Sequence, residues 1–148
     1  MRATLELLAA PDTSLREIIV GELIAFNQDA LAPGLHIEPL AIVLRDETSE
    51  AVLGGLWGRT GWDWLTIELI FVPEALRGNG FGRSMIDMAE AEAVRRGCHS
   101  AWLDTLNPSA LVLYERLGYV RFGELSDFPK GQTRYFLQKR LDPGEAAA

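Results

Sequence analysis

One cysteine, Cys98, in a chain of 148 residues excludes an internal disulfide, and two histidines, His36 and His99, make no cluster at metal-ligand spacing. No structural metal is expected. Long apolar runs are missing too: Gly, Pro or a charge interrupts every one well short of the roughly 18 to 20 residues that a membrane span requires, so no membrane partner is expected. The stretch from Met1 to Asp12 has a single basic residue and an apolar run broken by Glu6, a poor match to a secretory signal, and a cytoplasmic protein is the expectation. Positive charge is scarce. Fourteen Lys and Arg against 21 Asp and Glu leave a net charge of −7, which opposes the phosphate neutralisation on which nucleic-acid binding depends. No nucleic-acid partner is expected. A small cationic acceptor suits this balance better, although acidity also serves solubility.

What is present is 48% hydrophobic residues at the usual length of one domain. Ala3 to Leu8 reads as a short strand. Thr13 or Ser14 then offers an N-cap for an amphipathic helix whose Leu15, Ile18, Ile19, Leu23 and Phe26 recur at helical spacing to face a core. After the turn-like Ala32-Pro33-Gly34, the apolar segments Leu40 to Arg45, Val52 to Trp57 and Trp64 to Val72 form an antiparallel meander, with Asp46 to Glu50 and Arg59 to Asp63 as turns. Phe81 to Arg96 returns to helical period with Met85, Met88 and Ala89 on one stripe, and Gly97 stops it. Ala101 to Asp104 is a strand, and Pro108 to Leu117 a helix that begins on a favourable proline and ends at Gly118. Tyr119 to Gly123 and Arg134 to Leu141 complete the set. The order β-α-β-β-β-α-β-α-β-β predicts an α/β (α+β) layer architecture with a mixed sheet of about seven strands flanked by helices. One domain spans residues 1–141, and 142–148 reads as a disordered tail.

The strand ending at Val72 runs through Pro73 into Arg77-Gly78-Asn79-Gly80-Phe81-Gly82 and directly into a helix. Alternate glycines keep side chains away from one point and let backbone N–H groups face it, while the helix N-terminus adds partial positive charge. Arg77 and Arg83 flank the loop. The pattern suits a phosphate or pyrophosphate. The dinucleotide fingerprint fails because Arg83 or Met85 occupies its last glycine position, and the triphosphatase loop fails because Gly78 is followed five residues on by Arg83 and then Ser84 where Gly-Lys is required.

Arg77, Gly80 and Gly82, as R-x-x-G-x-G after a strand, resemble the signature of the GCN5-related N-acetyltransferase (GNAT) family. In that family the unit grips the pyrophosphate of coenzyme A. The run Asn107-Pro108-Ser109-Ala110 through Tyr114 to Gly118-Tyr119 is similar to the family's second signature. The resemblance therefore implies acetyl-CoA as co-substrate, held by Arg77, Gly78, Asn79, Gly80, Gly82 and Arg83, with Asn107 on the pantetheine arm and Tyr114 near the thioester sulfur. It also implies that the backbone of Phe71 and Val72 meets the pantetheine and the acetyl carbonyl, a backbone N–H serving as oxyanion donor.

The chemistry fits Tyr114. A departing thiolate benefits from a proton donor, and a phenol is protonated at neutral pH, so Tyr114 is the candidate general acid. Packing beside Leu113 and Leu117 is the structural alternative for Tyr114, and helix N-capping for Asn107. For the base, Glu68 is the carboxylate within its strand; alternation sets it on the side of Ile70 and Val72, and burial would raise its pKa, with ordered water as the other option. Cys98 reads as a buried bystander. Asn27 to Pro39 and the Phe128 to Tyr135 hairpin are candidates for specificity, and Trp57, Trp62 and Trp64 for an acceptor pocket, a dimer contact or core packing. The acceptor implied is the primary amine of a small molecule or peptide, and the resemblance leaves a homodimer open. A non-catalytic acyl-CoA-binding or sensor module on the same fold is the alternative function, and a nucleotide-binding protein using the same loop is a third.

Overall fold

A computed structural model describes residues 1–30 and 36–141. The expected Ala32-Pro33-Gly34 turn, part of the Asn27 to Pro39 segment and the expected tail lie outside the described residues. The residues before His36 and those from His36 onward form two compact units.

In the first unit, α1 (Thr13–Ala30) is the regular element. Its cap is Asp12, one residue ahead of the expected positions: the Asp12 carboxylate accepts the Ser14 N–H at 2.8 Å, and the Asp12 carbonyl that of Leu15 at 3.1 Å. Those bonds to Ser14 hold the Asp12 pKa below its ordinary value. The expected stripe of Leu15, Ile18, Ile19, Leu23 and Phe26 is exposed. The expected strand Ala3 to Leu8 does not form. Its residues are mostly Ala, Leu and Glu rather than β-branched, and among the described residues no neighbouring strand pairs with them.

The second unit is one six-stranded sheet, against about seven strands expected, ordered β1-β2-β3-β4-β6-β5. The meander comprises β1 (Glu38–Arg45), β2 (Val52–Gly61) and β3 (Trp64–Phe71), followed by a 3-10 turn at Glu74–Leu76 and α2 (Phe81–Arg95). Then come β4 (Ser100–Thr105), α3 (Pro108–Arg116), β5 (Val120–Ser126) and β6 (Thr133–Arg140). Arg59 to Gly61, expected in a turn, continue β2. Trp62 and Asp63, with φ of 49° and 67°, make the two-residue hairpin, the left-handed pair that suits the twist of adjoining strands. All neighbouring strands are antiparallel except β3 and β4, which run parallel across the α2 crossover.

Helices α2 and α3 end in the same way, for the reason the two glycines implied. Gly97 (φ 93°) and Gly118 (φ 98°) are left-handed, and each returns its N–H to the carbonyl three residues back. The next residue then bonds the carbonyl five back: Cys98 to Ala93 at 2.9 Å, Tyr119 to Tyr114 at 3.0 Å. The second closure brings the Tyr114 and Tyr119 rings edge to face at 6.3 Å, fixing Tyr114 from its own backbone outward. One core lies beneath, with Leu65, Ile86, Leu103 and Leu137 fully enclosed and Met85, Ala89, Ala93, Leu111 and Tyr114 from the helices packed around them. Arg96 binds the end of α2 to the meander, donating to Thr60 Oγ1 and the Pro39 carbonyl, both at 3.1 Å.

Candidate active site

The β3–β4 ladder is short. Trp64, Leu65 and Thr66 pair with Ser100, Ala101 and Trp102, and there the two strands part. The reason lies on the other side of β3, where Trp57 faces Leu69 and Gly58 faces Ile67, leaving Glu68 as an extra residue in a β-bulge. A bulge bends its strand and increases its twist, which swings the end of β3 away from β4. Two cavities occupy the split. The larger, about 610 Å³, runs from Ile70, Phe71 and Val72 over the glycine loop to α3; the smaller, about 300 Å³, lies between Ile67 to Ile70 and Leu103 to Asn107. Ile70, Asn107, Ala110 and Tyr114 line both.

The structure gathers most of the sequence-derived candidates here. Phe71, Val72, Arg77, Gly78, Gly80, Gly82, Arg83, Asn107 and Tyr114 line the larger cavity. Gly78 and Gly80 both have φ of 81°, and an added Cβ would meet nothing, so backbone conformation rather than crowding demands glycine at each. Gly82 is there for the opposite reason: its Cβ would stand 3.3 Å from Leu113 Cδ2, where α2 approaches α3. Gly80 caps α2 with no side chain bonding the first-turn N–H groups, and that turn has no acidic residue. The positive end of the helix therefore opens toward the cavity, with Arg77 and Arg83 beside it. Arg77 Nε donates to the Val72 carbonyl at 3.0 Å, tying the loop to the end of the sheet. Asn79, also a candidate, does not line the cavity; its amide folds back on the Leu76 carbonyl at 3.0 Å and braces the turn.

Asn107 caps α3 through its side-chain oxygen, which accepts the Ser109 N–H at 2.9 Å, and its own N–H donates to Thr105 Oγ1 at 3.1 Å. That bond orients the amide and leaves the Nδ2 donors available to the cavity. Tyr114 is only 4% exposed. Burial first, then the Asp104 charge, pushes its hydroxyl up to about 12, so it is protonated throughout the physiological range. Among the described residues nothing hydrogen-bonds that hydroxyl.

Glu68 departs from expectation. The bulge breaks the alternation on which its orientation rested: Ile70 and Val72 pack against the core, whereas Glu68 is exposed and ion-paired with Arg59. It still lines the smaller cavity with Tyr114. Trp57, Trp62 and Trp64 line neither cavity at Tyr114. Sequence reasoning missed Asp104 and reached Arg134 only as part of the Phe128 to Tyr135 hairpin; the two share the wall of the smaller cavity as an ion pair at 3.0 Å. Arg134 lies over the Phe128 ring, 4.2 Å from its centroid, so one residue of the hairpin expected to set specificity does reach the site. Thirty residues separate Asp104 from Arg134, and no local pattern announces the pair.

A split parallel strand pair, a glycine turn at an open helix N-terminus and a phenol between two cavities make up the site, and the chain's relatives give its class. The model of the acetyltransferase (GNAT) family matches residues 7–119, and the chain belongs to that family. It is similar to acetyltransferase Atu2258 of Agrobacterium fabrum, 40% identical over 130 residues that cover 88% of this chain and 93% of that protein. Blasticidin-S acetyltransferase of Streptomyces morookaense is 33% identical over 112 residues, covering 74% and 82%. A solved structure from Agrobacterium tumefaciens superposes with a TM-score of 0.86 at 38% identity, over 93% of this chain and 99% of the other.

Proposed function

We propose that this protein is an acetyl-CoA-dependent N-acetyltransferase that moves the acetyl group, by direct attack, to a primary amine of a small molecule or peptide. The observation that carries the reading is the meeting of two cavities at Tyr114: one has the loop and charge for a pyrophosphate, the other is open to an acceptor. Membership of the GNAT family supports acetyl-CoA as donor, and similarity to a blasticidin-S acetyltransferase supports a small-molecule acceptor.

The residues present fit the donor. Gly78 and Gly80 bring backbone close without side chains, the open N-terminus of α2 adds N–H donors, and Arg77 and Arg83 supply positive charge. The Asn107 amide faces the path from the loop to Tyr114, suited to a carbonyl of the pantetheine arm, and Phe71 and Val72 form the opposite wall. Bound acetyl-CoA would supply an activated thioester. The acceptor nitrogen forms the new N–C bond as the C–S bond breaks; Tyr114 gives its proton to the departing sulfur, and Glu68 or water takes the proton from the nitrogen. A hydroxyl pushed up to about 12 is available as the acid form at every working pH.

A calorimetric titration with acetyl-CoA tests the donor. Micromolar binding by the wild type and its loss in Gly80→Glu, which adds bulk and negative charge at the helix N-terminus, is the expected result. A folded wild type that does not bind acetyl-CoA would remove the proposal.

A further inference from the structure

Resting on the acetyl-transfer reading, we infer that Asp104 selects the acceptor, binding the ammonium group of a cationic primary amine in the smaller cavity beside Tyr114. The cavity is about 300 Å³, room for a small amine or the end of a larger one. Its wall carries two carboxylates, Glu68 and Asp104. Glu68 is engaged by Arg59. Asp104 is anchored through one oxygen, Oδ1, which accepts from Arg134 Nη1 at 3.0 Å, and among the described residues its other oxygen takes no hydrogen bond. The anchor is itself stacked on Phe128, so the carboxylate is fixed in place with acceptor capacity to spare.

A second observation points to a ligand at the same place. The Tyr114 hydroxyl, on a side chain 4% exposed, lines this cavity with no partner among the described residues. The ring is buried while the hydroxyl oxygen opens into the cavity, so a donor or acceptor entering there would meet it directly. The electrostatics favour a cation. The Asp104 charge adds to burial in opposing loss of the Tyr114 proton, and that opposition weakens when positive charge sits beside Asp104. An ammonium on Asp104 thus places the acceptor beside the transfer site and relieves the penalty on the acid; the nitrogen that attacks does so as the neutral amine, its proton having passed to Glu68 or water.

The test is coenzyme A release from acetyl-CoA with three probes: cadaverine (two ammonium groups), butylamine (one) and glycine (a zwitterion). The wild type should rank them in that order by kcat/KM. Asp104→Asn should raise KM for cadaverine about tenfold or more with kcat within about threefold, the loss expected for a charge-assisted hydrogen bond, and should flatten the ranking. Asp104→Glu should restore much of the preference. Unchanged acetyl-CoA affinity and circular dichroism in Asp104→Asn separate recognition from damage to the fold. An unaltered KM in folded Asp104→Asn overturns the assignment, as does a wild-type preference for glycine that Arg134→Gln abolishes. If acetyl-CoA binds but none of the probes is acetylated, the transfer reading fails for these amines. Calorimetry of cadaverine with the coenzyme A-saturated protein then decides the inference: binding lost in Asp104→Asn supports it, and absence of binding overturns it.

Discussion

Removing one oxygen, in Tyr114→Phe, separates chemistry from structure at this site. The ring is enclosed and packed edge to face on Tyr119, and phenylalanine keeps that contact. The hydroxyl has no partner among the described residues, so its loss leaves no orphaned group, and the folding free energy should change by less than about 1 kcal/mol. Acetyl-CoA affinity should hold, because the loop, the α2 terminus and Asn107 are untouched. Loss of a positioned proton donor typically costs about 10²- to 10⁴-fold, so kcat should fall by at least about a hundredfold at pH 7. Stopped-flow or steady-state release of coenzyme A measures it. The pH dependence gives a second reading. With the hydroxyl raised to about 12 from 10, wild-type activity should show no loss from tyrosine ionisation up to about pH 10. Because the folded value lies above the unfolded one, the wild-type fold keeps its full stability below pH 10 and loses about 3 kcal/mol as pH rises from 10 through 12, a loss that Tyr114→Phe should escape. A kcat within about threefold of wild type in a folded Tyr114→Phe would remove Tyr114 as the acid.

Other outcomes follow from the same geometry. Gly118→Ala forces a side chain into a φ of 98° and should cost about 1 to 2 kcal/mol, read as a lower melting temperature; an unshifted melt would show that the α3 closure is not under conformational constraint. Gly82→Leu should lower both stability and acetyl-CoA affinity, since even a Cβ stands 3.3 Å from Leu113 Cδ2, and unchanged melting would contradict that packing. Glu92 is held near 2 by hydrogen bonds from Arg95 and then Arg96. Its folded value is depressed, so its contribution is present above about pH 4.5 and disappears as pH falls toward 2. The stability gap between wild type and Glu92→Gln should therefore narrow over that window in acid unfolding, and a constant gap would refute the pairing.

Much of the site was legible in the sequence because its parts are local. A left-handed backbone at Gly78, Gly80, Gly97 and Gly118 is a demand that a single residue answers, and a strand, a loop and a helix start in succession carry their own geometry within about 15 residues. Asn107 and Tyr114 sit on one short helix with fixed spacing, so their shared cavity follows once the glycine loop lies opposite. The meander, both later helices and the last two strands were readable for the same reason. Where the reading failed, a partner far along the chain was missing or intervened. Ala3 to Leu8 found no strand to pair with among the described residues, and the β2–β3 register turned Glu68 outward; the cap at Asp12 was a local miss by one residue.

What the sequence determined by itself was the glycine turn at a helix start and the residues gathered round it, since those depend on torsions, caps and charges set within one stretch of chain; the donor was implied by the family resemblance. The tertiary structure decided the rest. The bulge at Glu68 is defined only by the register between β2 and β3, and it is this register that parts β3 from β4 and opens the cavities. Asp104 and Arg134 meet because β4 and β6 are antiparallel neighbours, a pairing between segments 30 residues apart. Periodicity reports which face of an element is buried, whereas a site between elements depends on which strands pair and where that pairing stops.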